Sequence, residues 1–226
     1  MEKFKTICKQ IVDKYNSLKP LTREIIETIV FVLVMVIIIR FCVGEIRWIP
    51  SASMRPTLIE GDRIIVERYS RFYRTPERGD IIVFYPPFVT LKYTPGRVFS
   101  RLTGFFVKDI AYIKRIVGLP EEKVEIKPDK DGKYTVYING KPLDEPYIRS
   151  PYDYPPCSES VTCTFEIPKD QYLMLGDNRG NSQDGRYWGL VHKDRFIGRA
   201  ITIFWPPKRM RKLQLKQFET KIPQTE

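Results

Sequence analysis

From its N-terminus the chain changes pattern twice. Residues 1–24 are polar and basic, with Lys3, Lys5, Lys9, Lys14, Lys19 and Arg23 against Glu2, Asp13 and Glu24. Residues 25–43 are almost continuously apolar, and their uncharged centre runs from Thr28 to Ile39. That centre is shorter than the roughly 20 residues of a spanning helix. Glu27 and Arg40 lie near its two ends, however, where their side chains can reach the headgroups, so the pattern predicts one transmembrane helix over 25–43. The basic flank then puts residues 1–24 in the cytoplasm, as an amphipathic surface helix or a solvated arm, and residues 44–226 outside. A basic region, an apolar core and the small residues Ser51, Ala52 and Ser53 also imitate a cleavable signal peptide. The long basic leader and the charged spacer Gly44-Glu45-Ile46-Arg47 favour an uncleaved anchor.

Beyond the spacer the apolar positions come in short runs punctuated by glycine and proline, which predicts a mainly β domain over 44–226. Arg63 to Glu67 and Asp80 to Tyr85 read as strands, each opened by a Gly-Asp turn. In Ala111 to Pro120, period two puts Tyr112, Lys114 and Ile116 on one face and Ile113, Arg115 and Val117 on the other. Each face thus carries one cation in an apolar row. Tyr134 to Ile138 turns at Asn139-Gly140, and residues 121–169 read as a small inserted β subdomain with a cysteine loop. Tyr172 to Leu175 is a further strand leading into the polar turn Gly176 to Arg186, and Phe196 to Trp205 is the last strand.

The formal net charge of +11 fits an anionic membrane surface or plain solubility. No nucleic-acid motif accompanies it, so nucleic acid is not an expected partner. Cys157 and Cys163 lie close together in a polar, proline-rich stretch, a spacing that suits a small disulfide loop better than a zinc site. The lone histidine, His192, cannot complete a four-ligand set, and no His-Glu-x-x-His occurs, so no metal or other cofactor is expected. A disulfide of that loop size contributes about 2 kcal/mol and requires an oxidising compartment.

Candidate chemistry centres on Ile49 to Leu58, where Pro50 and Pro56 flank Ser51 and Ser53 and keep them out of regular helix. A Ser-His-Asp site would have to use His192, which sits beside Lys193 in a turn-like surface stretch. The other available base is a lysine, whose neutral amine can take a hydroxyl proton once burial has lowered its pKa. Lys114 is the candidate, and poising it near neutrality takes some 4 kcal/mol of differential stabilisation, within reach of an apolar strand face.

Taken together, Ser51-Ala52-Ser53-Met54-Arg55-Pro56-Thr57, the strand Gly79 to Phe84, Tyr112 to Pro120 and the turn Gly176 to Arg186 resemble, in order, the successive boxes of bacterial type I signal peptidases (leader peptidases). The resemblance covers most of the chain from Ile49 to Ala200. It implies a coiled β-sheet or half-barrel peptidase domain after the anchor, with Ser53 as nucleophile and Lys114 as general base. It further implies an oxyanion hole from the Ser51 hydroxyl and the Ser53 N–H, with Ser182 orienting the lysine. Asp184 with Arg186, and Asp177 with Arg179, would be structural supports. Ile49, Pro50, Met54, Leu58, Tyr112 and Ile113 would surround a shallow substrate pocket admitting small side chains. The implied partners are exported preproteins and the lipid bilayer, at a bacterial plasma (inner) membrane that the chain crosses once. Ser53 lies at most about 35 Å of extended chain from the end of the apolar segment, close enough to meet membrane-tethered substrates.

Two positions depart from the family pattern: Glu121-Glu122 replaces the usual Gly-Asp, and Gly180 and Gly185 stand where Asp and Ser are common. Two rival readings are a Ser-Lys autoprotease of a regulatory protein and a non-catalytic membrane-tethered β module. The first should lack the apolar segment and the cysteine pair, and the second should lack the serine or the lysine.

Overall fold

The computed structural model describes residues 6, 9–10, 13–42, 44–70, 73–91, 94–96, 110–148 and 163–213. The chain divides into two compact units, residues 1–41 and 42–226. The helix α1, Pro20–Cys42, supplies residues 20–41 of the first. Proline suits its first position, where the missing N–H has no helical partner to lose. Side chains from Ile29 to Met35 are exposed in unbroken succession, so at about 100° per residue the helix is apolar on every side.

Among the described residues no helix is long and apolar enough to cross a membrane. The transmembrane helix expected over 25–43 is therefore not supported as a spanning element. The uncharged run from Thr28 to Ile39 covers about 18 Å of helix, where a hydrocarbon core is about 30 Å thick.

The second unit is mainly β. In chain order its strands are β1 Glu45–Trp48, β2 Arg63–Glu67, β3 Ile81–Phe84, β4 Tyr112–Gly118, β5 Lys123–Pro128, β6 Tyr134–Ile138, β7 Lys141–Pro142, β8 Cys163–Glu166, β9 Gln171–Leu175, β10 Val191–His192, β11 Phe196–Trp205 and β12 Arg211–Lys212. Eight of them form one sheet in the order β1-β2-β11-β3-β4-β9-β10, with β12 added to β11. Every pairing is antiparallel. Register shifts interrupt β11 against β2 and β3, and β4 against β9. Such bulges bend and twist a strand, so the sheet is open and curled rather than flat.

Strand β3 shows why its sequence is apolar without alternation. Ile81 and Val83 enter a cluster with Ile49, Met54, Leu58 and Ile64, whereas Ile82 and Phe84 enter one with Ile116, Met174 and Phe196. Both faces of the sheet are covered, and each such side chain contributes about 1.5–3 kcal/mol by leaving water.

Strands β5 to β8 form a separate four-stranded sheet in the order β7-β6-β5-β8. Asn139 and Gly140, at φ 49° and 80°, make the tight turn between β6 and β7. Val124, Ile126, Val136 and Ile138 of this insertion share a core with Val117, Leu173 and Leu175 of the main sheet. Cys163 is disulfide-bonded. Cys157 lies outside the described residues.

The charged spacer read at 44–47 is strand β1, pairing Glu45 with Val66 and Trp48 with Arg63. Its pattern is inverted. Glu45 is buried between Arg47 and Arg68, while Ile46 and Trp48 are exposed.

Candidate active site

The loop between β1 and β2 carries both serines. Ile49 N donates to Asp62 O and Gly61 N to Ile49 O, closing the loop at its base. Within it, Ala52–Met54 form a single 3-10 turn, with Ser51 extended before it. Ile49, Met54 and Leu58 point downward into the core, at 2%, 0% and 0% exposure, and so fix the turn from below. Outside the core, Arg209 forks onto the buried Asp62 at 2.8 and 2.9 Å, and Arg211 Nη2 donates to Thr57 O at 2.8 Å.

Strand β4 brings Lys114 to this loop. Its Nζ donates to Ser53 Oγ at 2.6 Å, and both side chains are buried. Ser51 Oγ lies 3.4 Å from Ser53 Oγ and is exposed. Burial pushes the Lys114 amine down from an ordinary 10.5 to about 8, helped by the nearby Arg186 cation and opposed by Asp184 and Asp177.

The turn after β9 forms the third wall. Asn178 N donates to Ser53 O at 3.1 Å, and Asn178 Nδ2 to Ala52 O at 3.1 Å. Gly176 makes that contact possible, because a Cβ there would meet Ser182 Oγ at 2.2 Å and Ser53 O at 2.5 Å. Ser182 is buried, and its hydroxyl has no hydrogen-bond partner, Lys114 included.

Asp184 and Arg186 form a buried two-point ion pair at 2.7 and 2.9 Å, and Asp184 also accepts from Gly176 N at 3.0 Å. Gly185 and Arg186 lie in the short helix α2, Gly185–Trp188, which Asp184 caps. Asp177 and Arg179 do not pair with each other. Asp177 accepts from Arg115 at 2.8 and 2.6 Å, and Arg179 forks onto Glu145.

Between the loop and β4 opens a cleft of about 420 Å³. Pro50, Tyr112 and Ile113 line it together with Ser51, Ser53 and Lys114. Ile49, Met54 and Leu58 are not among its lining, because all three are packed into the core beneath the loop. Ala52, Ile110, Ala111, Asn181 and Gln183 line it as well, none of them singled out from the sequence. Asn178, Asn181 and Gln183 all fall inside the polar turn noted there, so position in that turn was the available signal. His192 stands on β10, exposed, with Nδ1 accepting from Asp194 N and no place in the cleft. Among the described residues no cluster of His, Cys, Asp and Glu could hold a metal ion.

A serine hydroxyl held by a buried lysine at the edge of an open cleft is an arrangement that hydrolases with a side-chain nucleophile can use. Comparison with known proteins narrows the class. Residues 22–205 match the family described as Signal peptidase, peptidase S26, and the chain belongs to that family. It is similar to a protein named Probable signal peptidase I-2 from Synechocystis sp., at 42% identity over 83% of this chain and 75% of the relative. It is also similar to Signal peptidase I of Leptolyngbya laminosa, at 43% identity over 84% and 83%. A crystal structure of a signal peptidase I from Enterococcus faecalis V583 aligns with 56% of this chain and 97% of that chain, at 28% identity and a TM-score of 0.39. By family the protein is a serine endopeptidase, a hydrolase.

Proposed function

We propose that the protein is a membrane-bound endopeptidase that removes N-terminal signal peptides from exported preproteins, with Ser53 as nucleophile and neutral Lys114 as general base. The observation that carries this reading is the 2.6 Å contact between Lys114 Nζ and Ser53 Oγ, in surroundings that bring the amine to about 8. As Ser53 Oγ attacks the scissile carbonyl carbon, its proton passes to Lys114 Nζ. The lysine returns that proton to the leaving amine, and the acyl chain stays on Ser53. A water then gives a proton to Lys114 as it attacks the ester, and Lys114 passes that proton to the departing Ser53 Oγ, freeing the serine and restoring the neutral amine.

In this reading the Ser51 hydroxyl and the Ser53 N–H receive the developing oxyanion. Ser51 lines the cleft beside the nucleophile. Ser182, buried and without a partner, has a hydroxyl free to turn towards the lysine, which it can position without drawing it into the charged form. Asp184 with Arg186, and Asp177 with Arg115, hold the turn behind it.

The substrate would lie as an added strand. β3 pairs with Tyr112 to Arg115, but the β9 ladder begins only at Arg115, so one edge of Tyr112 to Lys114 carries no β9 partner beside the cleft. Pro50, Ala52, Ala111, Tyr112 and Ile113 give that stretch an apolar, shallow lining suited to small side chains.

Membrane attachment is assigned to α1, whose exposed apolar surface requires cover, with Glu27 near one end reaching the headgroups. Trp48 and Trp205, both exposed, suit an interfacial position.

The test is cleavage of a labelled preprotein in detergent micelles by the wild type, Ser53→Ala and Lys114→Ala, with the cut mapped by mass spectrometry. A cut after a small residue, lost in both folded variants, is expected. Retention of most of the rate in Lys114→Ala would reject the lysine as base, and a wild type inert on every preprotein would favour a tethered binding module.

A further inference from the structure

The inserted sheet sends one segment back to the reacting pair. After β7, Leu143 is anchored in the core of the insertion, and the chain then presents Glu145 and Tyr147 to the main sheet. Glu145 takes both terminal nitrogens of Arg179, and the two side chains are only 5% and 1% exposed. Tyr147 donates its hydroxyl to the same carboxylate, and the Arg115 guanidinium lies 4.1 Å above its ring.

Both arginines lead directly to the site. Arg115 follows Lys114 on β4, forks onto Asp177 and also donates to Gly79 O at 2.9 Å and Thr57 Oγ1 at 3.3 Å. Arg179 donates from Nε to Gly176 O at 2.9 Å, and its own carbonyl accepts from Arg186 at 2.8 Å. A buried ion pair contributes little net stability, since desolvation offsets attraction, and what it supplies is geometry. Here the geometry fixed is that of Gly176, Asp177 and Arg186, the residues that back Ser53 and Lys114.

We propose that Glu145 and Tyr147 form a hook by which the insertion positions the Gly176–Arg186 turn against the Ser53 and Lys114 pair. The proposal rests on the preceding reading of that pair. The groups facing Lys114 are Ser53 from the loop, the Tyr112 ring on its own strand, and Asp177, Asp184 and Arg186 from the turn. Glu145 acts on this set through Arg179. Without its carboxylate, Arg179 is a buried cation that competes with Arg115 and Arg186 for Asp177 and Asp184, the anions of the turn, and these are the groups that favour protonated Lys114.

The experiment measures kcat, KM and the pH profile of peptide cleavage by the full chain in detergent micelles, for Glu145→Gln, Glu145→Asp and Tyr147→Leu beside Lys114→Ala. Thermal unfolding of each variant is followed in parallel. Glu145→Gln is expected to lose up to about 100-fold, mainly in kcat, as misplacement of a reacting group does. Its acid limb should move to lower pH, and Glu145→Asp should recover part of the rate. If Glu145→Gln lowers only the unfolding temperature and leaves kcat and the acid limb within about two-fold of wild type, the hook is structural and the inference is overturned.

Should Glu145→Gln fail to fold, Tyr147→Leu keeps the carboxylate while removing the ring from Arg115. A kcat loss of at least about three-fold supports the hook and a wild-type kcat overturns it. Wild-type activity in Lys114→Ala would instead remove the pair itself and the hook with it, which separates failure of this inference from failure of the reading beneath it.

Discussion

Replacing Lys114 with methionine should abolish cleavage and stabilise the protein. The amine is 4% exposed and held at about 8, against 10.5 when free in water. That difference corresponds to about 3 kcal/mol by which folding disfavours the protonated lysine. Because the folded-state value is the lower one, the penalty is fully present below pH about 8. It shrinks as pH rises from about 8 to 10.5 and vanishes above, where both states are neutral. Methionine fills a similar volume without charge but forfeits the hydrogen bond to Ser53, at about 1 kcal/mol. The net gain near pH 7 is then about 2 kcal/mol, or about 4 to 8 °C in Tm. Thermal unfolding by circular dichroism in detergent micelles, at pH 7 and at stepped values up to 10.5, measures both the gain and its decline. A variant less stable than wild type at pH 7, or a gain that does not narrow with pH, would refute the account of Lys114 as an amine whose protonated form burial disfavours.

In the wild type, kcat/KM should rise tenfold per pH unit below about 8 and level off above it, since only the neutral amine can accept the serine proton; a profile flat from pH 6 to 9 would contradict this. Gly176→Ala should lose nearly all activity in a preprotein cleavage assay, because the added methyl has to displace Ser182 Oγ and Ser53 O from 2.2 and 2.5 Å. Asp177→Asn should lower unfolding free energy in urea by about 3–5 kcal/mol, as it leaves the Arg115 cation buried without its partner; a loss under about 1 kcal/mol would mean the pair is not the strut described.

How far this was legible in the sequence depends on whether a residue's partners were near it in the chain. Strands β2 and β11 fall at the residues read for them, and the Asn139-Gly140 turn closes β6 on β7, since each is signalled by its own composition. Strand β1 was read as a spacer because its apolar residues face outward, and only pairing with β2 makes Glu45 an inward residue. Asp177 and Arg179 looked like neighbours that brace one turn, yet each finds its counter-ion far away, in Arg115 and Glu145. Ile49, Met54 and Leu58 lie beside the serines in sequence but beneath them in space, because the loop packs these apolar side chains against Ile64 and Ile81 in the core.

Strand β11 lies between β2 and β3 in the sheet although in the chain it comes after β1 to β10. Until residues 196–205 leave the ribosome, the hairpin that carries Ser53 and the hairpin that carries Lys114 have no shared ladder to join them. A nascent copy can therefore complete neither its sheet nor the contact between Ser53 and Lys114. Placing the central strand late makes assembly slow, because it depends on contacts distant in sequence. In return, the contact between Ser53 and Lys114 forms only once the sheet that carries both is whole.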